Sequence, residues 1–209
     1  PHADRLVDHL PWAALVAPGI ILNKDGSFQR SIAFRGPDLD SATEAELVAA
    51  CARANNMLKR FGSGWALFFE AERVAAAGYT ESDFPDAASW LVDAERRAAF
   101  EDRERQHFES LFHLTLVWMP PADQADSAGR ALVERPDAAK GARDWREALA
   151  RFEAESLRAI DLMATFMPEV RALDDSETLT YLHRAISPHR HRVRVPATPM
   201  YIDALLADT

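Results

Sequence analysis

The sequence has a single cysteine and no long hydrophobic run. Cys51 stands alone among 209 residues, so no disulfide can form within the chain, which is compatible with a reducing compartment. The longest apolar stretch, residues 11–22, is interrupted by Pro18 and Gly19 and is far shorter than the roughly 20 residues that a membrane-spanning helix needs. Because Cys51 falls on the apolar stripe of a predicted helix, we expect a core thiol and not a nucleophile.

Basic residues are in the minority. The chain has 24 Lys and Arg against 33 Asp and Glu, which gives a formal net charge of −9. A surface of that sign repels phosphates, so the chain is not expected to coat nucleic acid, although a local basic patch is compatible with the numbers. Hydrophobic residues make up 48% of the sequence, which is enough for a folded domain with a sizeable core.

The motifs of nucleotide binding and of common hydrolytic enzymes are also missing. The sequence contains no G-x-x-x-x-G-K-[ST] loop, no H-E-x-x-H pair and no nucleophile elbow. The stretch Gly62-Ser63-Gly64 follows a predicted helix and precedes a predicted strand, which is the reverse of a phosphate loop. We therefore predict that Gly62 ends a helix in the left-handed conformation. His183, His189 and His191 match no common zinc spacing, and no metal site is expected.

Turn signals, capping boxes and periodicity predict the secondary structure. Asp25-Gly26 between two apolar runs predicts a β-hairpin of residues 20–23 and 28–35. Capping boxes begin predicted helices at Ser41 or Thr43 and at Asp174. The predicted helices cover residues 41–61, 86–109, 144–166 and 174–186. The predicted strands cover residues 65–73, 111–119 and 170–173, and the first of these is expected to be central because both its faces are partly apolar.

The order of these elements predicts an α+β fold. Two successive β-α-β units, at residues 28–73 and 112–173, indicate a ferredoxin-like split β-α-β layer with an N-terminal β-hairpin and inserted long helices. Residues 122–141 are expected to be a partly ordered insertion. We expect one domain over residues 1–209, with an α/β core at 35–186 and a basic segment at 187–209. The absent initiator methionine and the apolar final run lead us to expect a piece of a longer protein.

Two charged stretches are candidates for contact with a partner. Residues 101–109 are charged all round in the predicted helix and include Arg103 and Arg105. Residues 187–199 are basic and irregular. The alternative is that both stretches are simply solvated. A basic cluster on an acidic protein suits an acidic partner, an anionic lipid or a nucleic-acid backbone. The candidate docking residues are Arg103, Arg105, Arg190, Arg192 and Arg194.

Five stretches of the sequence resemble a known family over nearly the whole chain. They are LPWAALVAPGIILNKDGSFQRSIAFRGPDLDSAT (10–43), FGSGWALFFEAER (61–73), FPDAASWLVDAERRAAFE (84–101), LDDSETLTYLH (173–183) and HRVRVPATPMYIDALLAD (191–208). In this order they are similar to the N-terminal region of TrbE/CagE-type conjugal transfer ATPases. These ATPases are the large energising subunits of type IV secretion systems.

The resemblance implies a non-catalytic assembly and docking domain in a conjugative ATPase that energises plasmid DNA transfer. It implies that ATP and Mg²⁺ belong to a C-terminal P-loop motor domain outside this chain, so no cofactor or catalytic residue is assigned here. It implies inner-membrane secretion subunits as partners, self-association of the full-length protein and no small-molecule substrate. The implied location is the cytoplasm of a bacterium, peripheral on the inner membrane.

Two other functions compete with this one. A ferredoxin-like sheet can present aromatic side chains to stacked bases, which would make the chain a single-stranded DNA-binding module of the transfer machinery. The net charge of −9 and the expected burial of the strand aromatics argue against it, and strong nucleic-acid binding is not expected. A free-standing enzyme is the third possibility, for which ATP hydrolysis by this chain alone would be required, and we expect none.

Overall fold

The computed structural model of the chain describes residues 5–76, 78–102, 107–122, 124–125, 141–198 and 200–207. The strands are β1 Trp12–Ala17, β2 Ile20–Asn23, β3 Phe28–Arg35, β4 Trp65–Ala75, β5 Phe108–Trp118 and β6 Glu169–Ala172. The helices are α1 Leu6–His9, α2 Glu44–Leu58, α3 Ala87–Glu101, α4 Gly141–Ala164, α5 Asp175–Arg184 and α6 Ile202–Ala207. The insertion predicted at residues 122–141 lies largely outside the described residues.

The strands form one antiparallel sheet with the predicted ferredoxin-like arrangement. The hydrogen-bonded order is β1-β2-β3-β5-β4, and β6 also pairs with β3. The four strands of the two β-α-β units therefore lie in the order β6-β3-β5-β4, which places the fourth beside the first and the third beside the second. The predicted α+β fold and the predicted N-terminal hairpin of β2 and β3 are confirmed.

One edge of β3 is shared by two strands from opposite ends of the sequence. β2 pairs antiparallel with the first half of β3, from Phe28 to Arg30. β6 pairs antiparallel with the second half, from Ile32 to Arg35. The amide of Leu173, directly after β6, donates to the Ser31 carbonyl at 3.0 Å. β2 and β6 are thus arranged end to end along the same edge.

Gly19 lies where these two strands meet. It has a φ of 65° in the turn between β1 and β2, a backbone conformation that favours glycine. Its amide donates to the Asp175 carboxylate at the start of α5, at 2.7 Å. A Cβ added to Gly19 would come within 2.3 Å of the Leu173 carbonyl oxygen. The backbone approach at this point therefore leaves no room for a side chain.

Hydrophobic clusters cover both faces of the sheet. Ile20 and Leu22 belong to a cluster with α4, while Ile21 belongs to one with α5 and α6. Successive strand residues point to opposite faces, so α4 lies on one face and α5 and α6 on the other. On the α4 side, the Phe152 ring stacks on Phe28 at 5.8 Å and on Trp65 at 5.6 Å between centroids.

The chain divides into two compact units, one of residues 1–69 with 113–209 and one of residues 70–112. The prediction of a single domain over residues 1–209 stays a prediction. Within the second unit, the Tyr79 hydroxyl donates to Asp93 of α3 at 2.6 Å. Its ring meets Phe100 at 5.7 Å, and Phe100 stacks on His107 at 4.5 Å. Polar and aromatic contacts therefore hold α3 in its unit.

The helix predicted over residues 86–109 is too long. α3 ends at Glu101, and Phe108 and Glu109 already belong to β5. The predicted stripe of this helix is exposed, with Trp90 60% and Leu91 58% accessible, because α3 turns its Tyr79-contacting side inward. Within the described residues, none of its side chains is buried.

Three further predictions about α2 and β4 are wrong. Cys51 is exposed, because α2 turns Met57 into the core and this rotates the buried stripe away from Cys51. β4 stands at an end of the strand order, and its aromatic residues on both faces are exposed, with Phe68 59% and Phe69 58% accessible. The apolar character of both faces therefore did not indicate a central strand.

The predicted role of Gly62 is also wrong. α2 ends in a tight turn in which the Arg60 amide donates to the Met57 carbonyl at 3.1 Å, so a left-handed residue is not required. The positive φ, 87°, belongs to Gly64. A Cβ on Gly64 would lie 2.6 Å from the Met119 carbonyl oxygen. The glycine that this turn requires is therefore the second of the pair.

Candidate docking surface

The candidate docking arginines fall into two groups. Arg103 and Arg105 lie outside the described residues, so their predicted role is not addressed by the structure. Arg190, Arg192 and Arg194 lie in the segment that follows α5, and all three are exposed. We call residues 187–198 the strap, because they cross α5 as an extended, irregular segment.

The helix beneath the strap begins at the predicted capping box. The Glu177 amide donates to the Asp174 carboxylate at 2.7 Å, and the Asp174 amide donates to Glu177 at 3.0 Å. This exchange satisfies two amides that the helix start would otherwise leave without partners. α5 buries Leu179 and Leu182 toward the sheet. Its position is therefore fixed from its first residue, and it can serve as a platform.

Two hydroxyl side chains on α5 fasten the strap. The Val193 amide donates to the Thr180 hydroxyl at 2.9 Å, and the Ser176 hydroxyl donates to the Val193 carbonyl at 2.7 Å. Ser176 and Thr180 are four positions apart and therefore lie on the same side of the helix. The Val193 side chain is 3% exposed and belongs to the cluster of α5 and α6. The strap is thus held by both backbone groups and by the side chain of one residue.

This fastening turns alternate side chains of the strap outward. Val193 points into the core, and the His191 ring packs against His183 of α5 at 4.5 Å between centroids. In an extended segment, successive side chains point to opposite sides, so Arg190, Arg192 and Arg194 share the outer side. We call these three side chains the arginine face.

The charge of this region differs from that of the whole chain. No Asp or Glu occurs between Glu177 and Asp203, although the chain carries a net charge of −9. Nε of Arg192 donates to the Ser176 hydroxyl at 3.0 Å. Glu177 is engaged by Arg171 at 2.6 Å, and that hydrogen bond, with a smaller contribution from Arg192, lowers the pKa of Glu177. The arginine face is therefore a local positive surface on an acidic protein.

Sequence reasoning missed the residues that present this face. The three arginines were found from charge alone, whereas Ser176 and Thr180 were not singled out. Their signal is the spacing of two hydroxyl residues by four positions on one helix. That spacing is common on solvated helices, so it acquires meaning only when the strap is known to cross it.

Replacing Thr180 by valine is expected to loosen the strap. The change keeps the shape of the side chain but removes the acceptor of the Val193 amide, and a buried donor left without a partner costs about 1–3 kcal/mol. Hydrogen exchange at the Val193 amide should accelerate accordingly. Thr165→Val is the matched control, because the Thr165 hydroxyl is exposed and donates to the Leu162 carbonyl at the end of α4. Equal exchange at Val193 in both variants would contradict the fastening.

Two kinds of feature are absent from the described residues. Within these ranges, no helix is both long and apolar enough to cross a bilayer. Within the same ranges, no three His, Cys, Asp or Glu side chains are arranged so that they could hold a metal ion.

Comparison with known proteins gives three matches. A family model described as "Type IV secretion system ATPase VirB4/TrbE, N-terminal domain" matches residues 19–126. The chain is 36% identical over 216 residues to "Conjugal transfer protein TrbE" of Rhizobium radiobacter, covering 95% of this chain and 26% of that protein. It is 45% identical over 116 residues to a probable conjugal transfer protein TrbE of Sinorhizobium fredii (strain NBRC 101917 / NGR234), covering 54% of this chain and 77% of that protein. The chain thus spans about a quarter of the length of the first relative.

Proposed function

Because this chain belongs to the N-terminal domain family of the VirB4/TrbE type IV secretion system ATPases, we propose that it is the non-catalytic assembly and docking domain of a conjugative ATPase. The observation that carries the proposal is the arginine face. Three arginines are held outward by a strap that is hydrogen-bonded to α5, on a protein that is otherwise acidic. Charge arranged in this way favours contact with an oppositely charged surface.

The chemistry of the whole protein is proposed to lie elsewhere in it. The sequence of this chain contains no phosphate loop, whereas the family name describes an ATPase. We propose that ATP and Mg²⁺ bind outside this chain and that their hydrolysis energises the transfer of plasmid DNA. The full-length protein is also proposed to self-associate.

The proposed location is the cytoplasmic side of the bacterial inner membrane. There the domain would hold the ATPase against the membrane-embedded portion of the secretion assembly and its inner-membrane subunits. The arginine face is the proposed contact. A single-stranded DNA-binding role has less support, since Phe28, Trp118 and Phe152 pack in the core and the net charge is −9.

Reversing the arginine face is expected to release the full-length ATPase from the membrane. The variant carries Arg190→Glu, Arg192→Glu and Arg194→Glu, which replaces three attractions by three repulsions. In cells that contain the complete secretion assembly, the fraction sedimenting with the inner membrane should fall by about tenfold.

The matched control changes the net charge equally at other exposed positions of the first unit. It carries Arg35→Glu, Arg60→Glu and Arg146→Glu, all at exposed residues. This control should keep its membrane-bound fraction. Equal release of both variants would mean that net charge matters and the arginine face does not.

A further inference from the structure

Exposed apolar side chains stand next to the arginine face. Val195 is 43%, Met200 45% and Tyr201 52% accessible. Val193 of the strap and Ile202 of α6 are packed in one buried cluster. Their chain neighbours Arg194 and Tyr201 must therefore reach the surface close to one another. The strap and the start of α6 together present positive charge beside apolar and aromatic groups.

This combination distinguishes between possible partners. An acidic protein surface would account for the arginines alone. At a membrane surface, guanidinium groups bind lipid phosphates, while tyrosine and aliphatic side chains enter the region just beneath the headgroups. The exposed Met200 and Tyr201 have a role only in the second case. A lipid surface therefore explains more of what the strap exposes.

We propose that the arginine face binds anionic phospholipid headgroups, with Met200 and Tyr201 entering the interface beside them. This inference rests on the proposed function for placing the domain at a membrane, and it names lipid as the component that the arginine face contacts. The rest of the chain carries an excess of acidic residues and is repelled by the same lipids. Binding is therefore oriented, with the strap toward the bilayer.

The direct test is sedimentation of the purified chain with vesicles. Vesicles of phosphatidylcholine with phosphatidylglycerol should bind the chain, and vesicles of phosphatidylcholine alone should not. Replacing Arg190, Arg192 and Arg194 by glutamine should weaken binding by about a hundredfold, since each basic residue near an anionic surface contributes a factor of about five. Binding should also weaken as salt rises, because the attraction is screened.

Further variants separate the contact from effects on folding. Arg194→Gln alone avoids the Arg192–Ser176 hydrogen bond and should weaken binding by about fivefold. Met200→Ser with Tyr201→Ser should also weaken binding while leaving the charge unchanged. The control Arg35→Gln, Arg60→Gln and Arg146→Gln should bind as the unchanged chain does. Equal binding to both kinds of vesicle, or undiminished binding of the arginine-face variants, would overturn the proposal.

The vesicle and cell experiments fail in different ways. If reversal of the arginine face releases the ATPase from membranes in cells but the purified chain ignores anionic vesicles, docking stands and the contact is with a protein, so the lipid inference is overturned. If vesicle binding depends on the arginines but the membrane-bound fraction in cells does not, the lipid contact stands and the docking role assigned to this face is wrong.

Discussion

Replacing Gly19 by alanine is expected to lower the free energy of unfolding by about 2–5 kcal/mol. A left-handed backbone costs an alanine about 1–2 kcal/mol, and Gly19 has a φ of 65°. The added Cβ would also lie 2.3 Å from the Leu173 carbonyl oxygen, so the backbone must move, at a further cost of about 1–3 kcal/mol. That movement separates β2 from β6 and disturbs the amide contact with Asp175. Urea unfolding followed by tryptophan fluorescence measures the loss.

Two other glycines provide matched controls. Gly36 and Gly62 have no heavy atom within 4 Å of an added Cβ, and neither has a positive φ. Alanine at either position is expected to change stability by less than about 0.5 kcal/mol. A Gly62→Ala variant as unstable as Gly19→Ala would revive the left-handed helix end predicted from the sequence. A Gly19→Ala variant as stable as the controls would show that the junction of β2 and β6 tolerates a side chain.

Replacing Phe152 by alanine is expected to cost about 3–5 kcal/mol, as is usual for removing a buried aromatic ring. Phe152 is fully buried on α4 and stacks on both Phe28 and Trp65. Its ring therefore joins α4 to β3 and to the start of β4. Its removal leaves a cavity among rings that cannot close in. Thermal unfolding and the fluorescence of Trp65 and Trp118 should both change.

The control for this prediction lies on the same helix. Leu157 is 45% exposed, so Leu157→Ala alters the helix without opening the core and should cost less than about 1 kcal/mol. Phe152→Leu should fall between the two, since it keeps some of the buried volume. If Phe152→Ala were no worse than Leu157→Ala, the stacked rings would not be a source of stability.

Local signals in the sequence predicted much of the fold correctly. Asp25-Gly26 indicated the β2–β3 hairpin because a short turn of this kind selects its own residues. The capping boxes at Thr43 and Asp174 gave the starts of α2 and α5, since each is a hydrogen-bond exchange within four residues. The chain order of β-α-β units then restricted the sheet to few topologies. Short-range chemistry was therefore sufficient for the ferredoxin-like layer.

The failures concern features that depend on distant segments of the chain. The edge position of β4 depends on which strand β5 chooses as its other neighbour, and no periodicity within β4 records it. The rotation of α2 that exposes Cys51 is set by the core beneath Met57. β1 was missed because Pro18 and Gly19 made residues 11–22 look like an interrupted apolar run. Tertiary contacts decided each of these outcomes.

The candidate surface was only half predictable for the same reason. Charge identified Arg190, Arg192 and Arg194 without any structure. Which side of the strap they occupy depends on Val193 being held by Ser176 and Thr180, and that contact joins residues 13 to 17 positions apart. An extended segment without regular secondary structure carries no periodicity from which the outward side can be read.

The shared edge of β3 also determines the order in which the protein can fold on the ribosome. β2 and β3 are close in sequence and can pair early, whereas Arg35 and its partner Glu169 are 134 positions apart. Half of the β3 edge therefore stays unpaired in the nascent chain until β6 emerges. An open strand edge is prone to pair with other chains, and such distant pairings form slowly. During synthesis, this half-edge is the region of the sheet most exposed to misassembly and most dependent on chaperones.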